Sequence, residues 1–212
     1  MKGVILRKKL PPELPFDATV ARGLCESSLD ALVDLHRIDL DATGLRDLGN
    51  ADGYVERQVA GLSQRYADAK TDDIPEVDAA IAWLGNHLPR SSAASVLHGD
   101  YKYDNLVLDP NDVTRIIGIL DWEIATVGDP LMDVGMMLAY WVQADDSELF
   151  KVTSLVPTSE PGSYTRAELA QRYAEKSGRD LSEITFYYCY GLMRIAVIAQ
   201  QIYARYKHGI TK

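Results

Sequence analysis

Apolar positions recur at helical spacing over most of this chain. Val20, Leu24, Ala31, Leu32 and Leu35 form one such series, and Asp17 stands where it can cap it, which predicts a helix over about 17–37. Two more helices are predicted near 53–69 and 75–88. Asp129 and Pro130 read as a cap and a first-turn proline, opening an apolar helix that reaches about Val142. A loop rich in Ser, Pro and Gly at 154–163 leads to a helix near 165–177. The last helix is predicted over 181–207, with Ile184, Tyr188, Leu192, Ile195, Ile198, Ile202 and Tyr206 on one face and Tyr187, Tyr188 and Tyr190 as core aromatics.

Two stretches break this pattern. Residues 2–10 read as a short strand that runs into a turn at Pro11, Pro12 and Pro15. In the centre, β-branched and aliphatic runs flank the turn cluster Asp109, Pro110, Asn111 and Asp112, which predicts a hairpin. The fold class is therefore α+β and mostly helical, one compact unit with an embedded β-hairpin.

Composition narrows the function classes. A net charge of −9, with acids scattered along the chain, argues against nucleic acid or an anionic membrane as a partner. No run is long and apolar enough to span a bilayer, and Cys25 and Cys189 lie far apart within helical patterns as buried thiols. A reducing, cytoplasmic setting is the expectation. Nothing in the sequence bears on oligomeric state.

The chemistry concentrates between residues 98 and 121. His98-Gly-Asp100-Tyr-Lys102-Tyr-Asp-Asn105 has the spacing of a kinase catalytic loop, His-x-Asp with Asn five positions after the Asp. Phosphoryl transfer needs a carboxylate to orient the attacking hydroxyl, ligands for magnesium, and positive charge near the phosphate. A hairpin from 105 to 121 has its midpoint at residue 113, beside the turn cluster, so Asn105 and Asp121 should meet at its open end. Cross-strand Cβ atoms lie about 4.5–5.5 Å apart, close enough for an amide oxygen and a carboxylate to share a metal.

Other candidates are weaker. Asp121-Trp122-Glu123 could be the acid pair of an aspartyl-phosphate phosphatase, but the second acid is Glu and the upstream loop would go unexplained. His36, His87 and His208 lack metal-ligand spacing and read as capping or surface residues, and Lys2, Lys8 and Lys9 as solvated charges. Arg194 and Gln201, polar interruptions of the last helix, could face a substrate cleft, although a solvated face is the favoured reading.

With Leu120-Asp121-Trp122-Glu123 and Gly128-Asp129-Pro130-Leu-Met-Asp133 added, the chain resembles the aminoglycoside phosphotransferase and choline kinase superfamily. The likeness is greatest to the kinase-like domain fused to, or encoded beside, certain acyl-CoA dehydrogenases. The resemblance implies the C-terminal lobe of a protein-kinase-like fold, using ATP and magnesium to phosphorylate a small hydroxylated molecule. A hydroxy acid or hydroxyacyl thioester is favoured over an aminoglycoside. It implies Asp100 as catalytic base, Lys102 at the phosphates, Asn105 and Asp121 as magnesium ligands, and His98 and Asp133 as supports, with Glu123 undecided between the metal's surroundings and structure. A complete kinase of this type begins with a β-rich lobe carrying a glycine-rich loop, and none is visible here. Residues 1–16 are accordingly expected to be the end of that lobe and the hinge, and 17–212 the helical catalytic lobe. The competing expectation is a kinase-derived binding module or truncated product without turnover.

Overall fold

The structure, a computed structural model, describes residues 3–8, 10, 14, 16–90 and 94–210. Lys2, Lys9 and the prolines at 11, 12 and 15 lie outside them. Seven helices and four strands follow one another among the described residues: α1 (Ala18–His36), α2 (Tyr54–Ala69), α3 (Pro75–Asn86), β1 (Ser95–Leu97), β2 (Leu106–Asp109), β3 (Asp112–Ile119), β4 (Thr126–Gly128), α4 (Leu131–Tyr140), α5 (Glu148–Val152), α6 (Arg166–Ser177) and α7 (Ile184–Lys207). The fold is the α+β, mostly helical one that the sequence predicts.

Helix ends follow local chemistry. Asp17 caps α1 by accepting from the amides of Thr19 and Val20, each at 2.9 Å. Thr165 and Glu168 form a reciprocal capping box at the start of α6, which ends at Gly178 with φ 73°.

The hairpin forms about the expected turn, with Leu106 opposite Ile119 and Val107 opposite Gly118. A second antiparallel pair, β1 with β4, joins Ser95 to Gly128 and Leu97 to Thr126. Three residues per strand are too few for an alternation to register, so the sequence reading missed it. The stretch read as a strand at 2–10 contributes a single bridge. Val4 donates to and accepts from Leu108, at 2.9 and 2.8 Å, laying the N-terminal segment along β2.

The long helix α7 packs against α4, α2 and α3, while α1 packs against β3, α6 and β1. Glycines permit the α4–α7 contact. A Cβ on Gly135 would fall on the carbonyl oxygen of Tyr187, and one on Gly191 would reach the carbonyl oxygen of Gly135 at 2.5 Å. This packing corrects the expected face of α7. The helix buries Phe186, Tyr187, Tyr190, Met193, Val197 and Ala204, whereas Ile198, Ile202 and Tyr206 are 40%, 53% and 66% exposed. The helix is apolar on more than one side, and the stripe that packs is chosen by where backbones can approach, not by hydrophobicity alone. Helix α5 was not anticipated. Among the described residues no helix is long and apolar enough to cross a membrane.

Candidate active site

Strand β1 delivers the chain into the loop His98-Gly99-Asp100, and the short β4 that pairs with it delivers the start of α4 beneath that loop. Asp133, in the first turn of α4 where a negative charge is favoured, accepts the amides of His98 at 2.7 Å and Gly99 at 2.8 Å. Gly99 has φ +84°, and a Cβ there would meet Ile124 at 3.0 Å, so the turn that presents Asp100 requires glycine.

His98 is wholly buried. Its Nε2 can only donate to the carbonyl of Leu120, at 2.7 Å, which leaves Nδ1 to accept the Asp100 amide at 3.2 Å. The ring thus ties the loop to the residue preceding Asp121. His36, read from sequence as a capping or surface residue, is instead buried at the end of α1. Its Nδ1 meets the Tyr173 hydroxyl at 2.7 Å, and its Nε2 lies 3.4 Å from Asp133.

On this support the loop gathers its polar groups. The Lys102 ammonium lies 2.8 Å from Asp100 Oδ2 and 4.8 Å from the centre of the Tyr140 ring. Burial pulls that ammonium's pKa down, but its hydrogen bond with Asp100 and the charges around it prevail and raise it. Asn105 donates from Nδ2 to the Asp100 carbonyl at 2.8 Å and to Asp100 Oδ2 at 3.2 Å, leaving its amide oxygen available as a ligand. Asp104, which the sequence reading passed over, ion-pairs with Arg7 of the N-terminal segment at 3.3 Å, and burial pushes its carboxyl up.

The hairpin ends one residue short of the predicted register. Leu120 N–H donates to Asn105 C=O at 2.8 Å, so the backbones of Asn105 and Asp121 are neighbours at the open end. Asp121 adopts φ 71°, and no other described non-glycine residue has positive φ. The Glu123 carboxyl is raised above its ordinary range, first by a hydrogen bond with Asp121 and that group's charge, and further by the charge of Asp100. A cation bound between these acids would relieve the charge that raises Glu123. No group of three His, Cys, Asp or Glu among the described residues is arranged to hold a metal alone. Magnesium, which takes one or two protein carboxylates and completes its shell with phosphate and water, fits such a donor set.

Beside Gly99 opens a cleft of about 410 Å³ between α2 and α7. Arg194 and Gln201 line it, and Arg194 donates to the Gly99 carbonyl at 2.9 Å. The solvated-face reading of Arg194 is thereby corrected. One arginine in an apolar helix gives no signal that separates cleft from solvent.

The fold thus brings together a loop carboxylate with a lysine on it, an asparagine beneath it, and two further acids at a hairpin mouth. The chain belongs to the Phosphotransferase enzyme family, which it matches over residues 2–183. It is 33% identical over 205 residues to acyl-CoA dehydrogenase family member 10 of Mus musculus, covering 92% of this chain and 18% of that protein. The chain thus spans less than a fifth of that relative. Among solved structures it superposes at TM-score 0.86 and 28% identity on a protein of Ralstonia eutropha described as an aminoglycoside phosphotransferase, covering 100% of this chain and 64% of that one. A Streptomyces rimosus aminoglycoside phosphotransferase, solved with ADP and streptomycin, shares the fold at TM-score 0.52 and 17% identity, covering 88% of this chain and 68% of that one.

Proposed function

We propose that this chain is the catalytic lobe of an ATP- and magnesium-dependent kinase that phosphorylates a hydroxyl of a small molecule. The observation that carries the reading is Asp100, with Lys102 at 2.8 Å and Asn105 at 3.2 Å from the same carboxylate oxygen. A carboxylate, a cation and a neutral oxygen ligand thus sit on one loop, which supplies the groups that phosphoryl transfer requires. Asp100 orients the acceptor hydroxyl and takes its proton. Lys102 turns from Asp100 to the negative charge on the phosphoryl oxygens. Asn105 and Asp121 would hold magnesium, which when bound neutralises phosphate charge, and His98 and Asp133 keep the loop in position.

Residues 3–8 are read as the last strand of a nucleotide-covering β-rich lobe and the hinge to it, a reading supported by the pairing of Val4 with Leu108. The acceptor is read as a hydroxy acid or hydroxyacyl thioester, supported by the mouse relative's description as an acyl-CoA dehydrogenase family member.

Calorimetric titration with ATP tests this. Binding is expected to require magnesium and to be lost in Asp121→Ala. When the chain is joined to a β-rich lobe, Asp100→Asn is expected to lower phosphorylation of an acceptor by about 10²–10⁴-fold, the usual contribution of a positioned base. Nucleotide binding indifferent to magnesium and to Asp121, or turnover indifferent to Asp100, would overturn the reading.

A further inference from the structure

One acid of the loop, Asp104, has no task in the phosphoryl-transfer reading. It stands on the single helical turn Tyr103–Asn105, directly after Lys102 and Tyr103. Its side chain is 13% exposed, and its Oδ1 is out of contact with solvent and has no hydrogen-bond partner among the described residues. An anion buried with one oxygen unpaired is costly to keep, so neighbouring cations must compensate it. Two are in reach. The Arg7 guanidinium lies 3.3 Å from Oδ2, and the Lys102 ammonium lies 3.9 Å from the same oxygen.

Lys102 therefore stands between two carboxylates. Asp100 holds it at 2.8 Å, Asp104 lies at 3.9 Å, and the centre of the Tyr140 ring is 4.8 Å from the ammonium. The nearer carboxylate is the one that has to take the acceptor's proton, and an ammonium resting on it opposes protonation there. A loop with one acid would leave Lys102 on its own base. With a second acid within ion-pair distance, the ammonium can leave Asp100 without losing its counter-charge, and its three donors let it hold Asp104 and a phosphoryl oxygen together. Arg7 gives no comparable reason for the acid. Its segment is fastened on both sides of it, where Val4 pairs with Leu108, Leu6 is fully buried, and Lys8 donates to the Val152 carbonyl at 2.7 Å. The Arg7 side chain is 63% exposed, so its ion pair adds little to that attachment.

Building on the phosphotransferase reading of Asp100 and Lys102, we propose that Asp104 is a positioning residue, the second seat of the Lys102 ammonium. The ammonium passes from Asp100 to Asp104 as the base is freed, and from there it meets the transferring phosphoryl group. Asp104 touches neither acceptor nor metal in this role and acts through Lys102 alone.

The first test needs no nucleotide. Proton–nitrogen correlation spectra of the lysine ammonium groups separate a Lys102 held in an ion pair, whose protons exchange slowly with water, from one free in solvent. The Lys102 signal is expected to persist in Asp100→Asn, where Asp104 takes over the ammonium, and to vanish when Asp100→Asn and Asp104→Asn are combined. Loss in Asp100→Asn alone, or persistence in the combined variant, would overturn the proposal. The second test is turnover by the chain joined to a β-rich lobe. Asp104→Asn keeps the shape and removes a buried charge, so the fold is not at stake. It is expected to lower kcat about tenfold while both KM values stay within about twofold, the pattern of a contact made only in the transition state or of a misplaced group. In a Lys102→Met background the same change should have no further effect, since its influence runs through that ammonium. Arg7→Gln removes the surface ion pair and should leave kcat within about twofold. Equal losses in Asp104→Asn and Arg7→Gln would make the acid a strap for the N-terminal segment, and additive losses with Lys102→Met would detach it from the lysine; either overturns the proposal. A second seat seen in the ammonium spectra, with turnover indifferent to Asp100, would uphold the seat and sink the phosphotransferase reading instead.

Discussion

The carboxylate of Asp133 and the backbone amide of Gly99 are joined by a 2.8 Å hydrogen bond across 34 residues of sequence. The same carboxylate holds the amide of His98 at 2.7 Å, so the loop presenting Asp100 hangs from the first turn of α4. The site is thereby built on a helix packed in the core, and its precision rests on that packing.

Asp133 is 1% exposed, and replacing it with Asn keeps its volume but turns an NH₂ toward one of the amides it now accepts. Leaving a buried donor unpaired costs about 1–3 kcal/mol, more where a charged acceptor is lost. Asp133→Asn is expected to destabilise the protein by about 2–4 kcal/mol in urea unfolding. A loss below about 0.5 kcal/mol, the usual size of a surface change, would show that the loop does not depend on this bond.

The α4–α7 contact makes a sharper claim. Gly135→Ala would drive a methyl into the backbone of Tyr187, and overpacking of this kind costs about 1–3 kcal/mol or more. Gly85, within α3, has nothing within 4 Å of its notional Cβ, so Gly85→Ala is expected to stabilise by about 0.5–1 kcal/mol through helix propensity alone. Similar unfolding midpoints for the two variants would refute the crossing geometry.

How much was legible in the sequence divides along the same lines. The cap at Asp17, the helix near 165–177, the turn at 109–112 and the His98 to Asn105 spacing are local, and local chemistry fixed them. The exposed stripe of α7, the β1–β4 pair, and the burial of His36 against Tyr173 and Asp133 depend on which distant backbone arrives. A helix apolar on several sides, or strands of three residues, carry no periodicity that could announce it. The loop and the hairpin mouth could be nominated because each lies near an informative turn, whereas Asp133 is implied by the family resemblance alone. Arg194 could be named for a cleft but not preferred over solvent, since its partner is a carbonyl 95 positions away.

Acid should weaken a different part of the molecule. Burial would push the Glu26 carboxyl up, but hydrogen bonds from Tyr164, Lys176 and Arg172 outweigh it and hold the pKa at about 2, below its ordinary 4.5. A depressed carboxyl contributes stability above its unfolded pKa and loses it as pH falls through the folded one, here between about 4.5 and 2. With the side chain 27% exposed, screening trims the contribution to about 1–2 kcal/mol. Glu26→Gln should therefore be less stable than the parent at neutral pH, and the gap should narrow across that window. A gap independent of pH would remove the ion pairs from the account.

Asp121 offers a way to separate stability from function. A non-glycine residue at φ 71° is strained by about 1–2 kcal/mol, less for Asp than for most, and this one also faces the Glu123 carboxyl. Glycine removes both penalties, at a cost of about 0.5–1 kcal/mol in unfolded-chain entropy. Asp121→Gly is thus expected to leave stability unchanged or raise it by up to about 1 kcal/mol. Glu123, released from its neighbour, should titrate closer to its ordinary range, which carboxyl-detected NMR would follow. Magnesium-dependent ATP binding should fall at least about tenfold, because a hard cation loses one of its few protein carboxylates. Strain retained at a site where glycine would be as stable is the mark of a residue kept for its chemistry. A destabilised Asp121→Gly protein that still binds magnesium and ATP as the parent does would assign Asp121 to the fold instead.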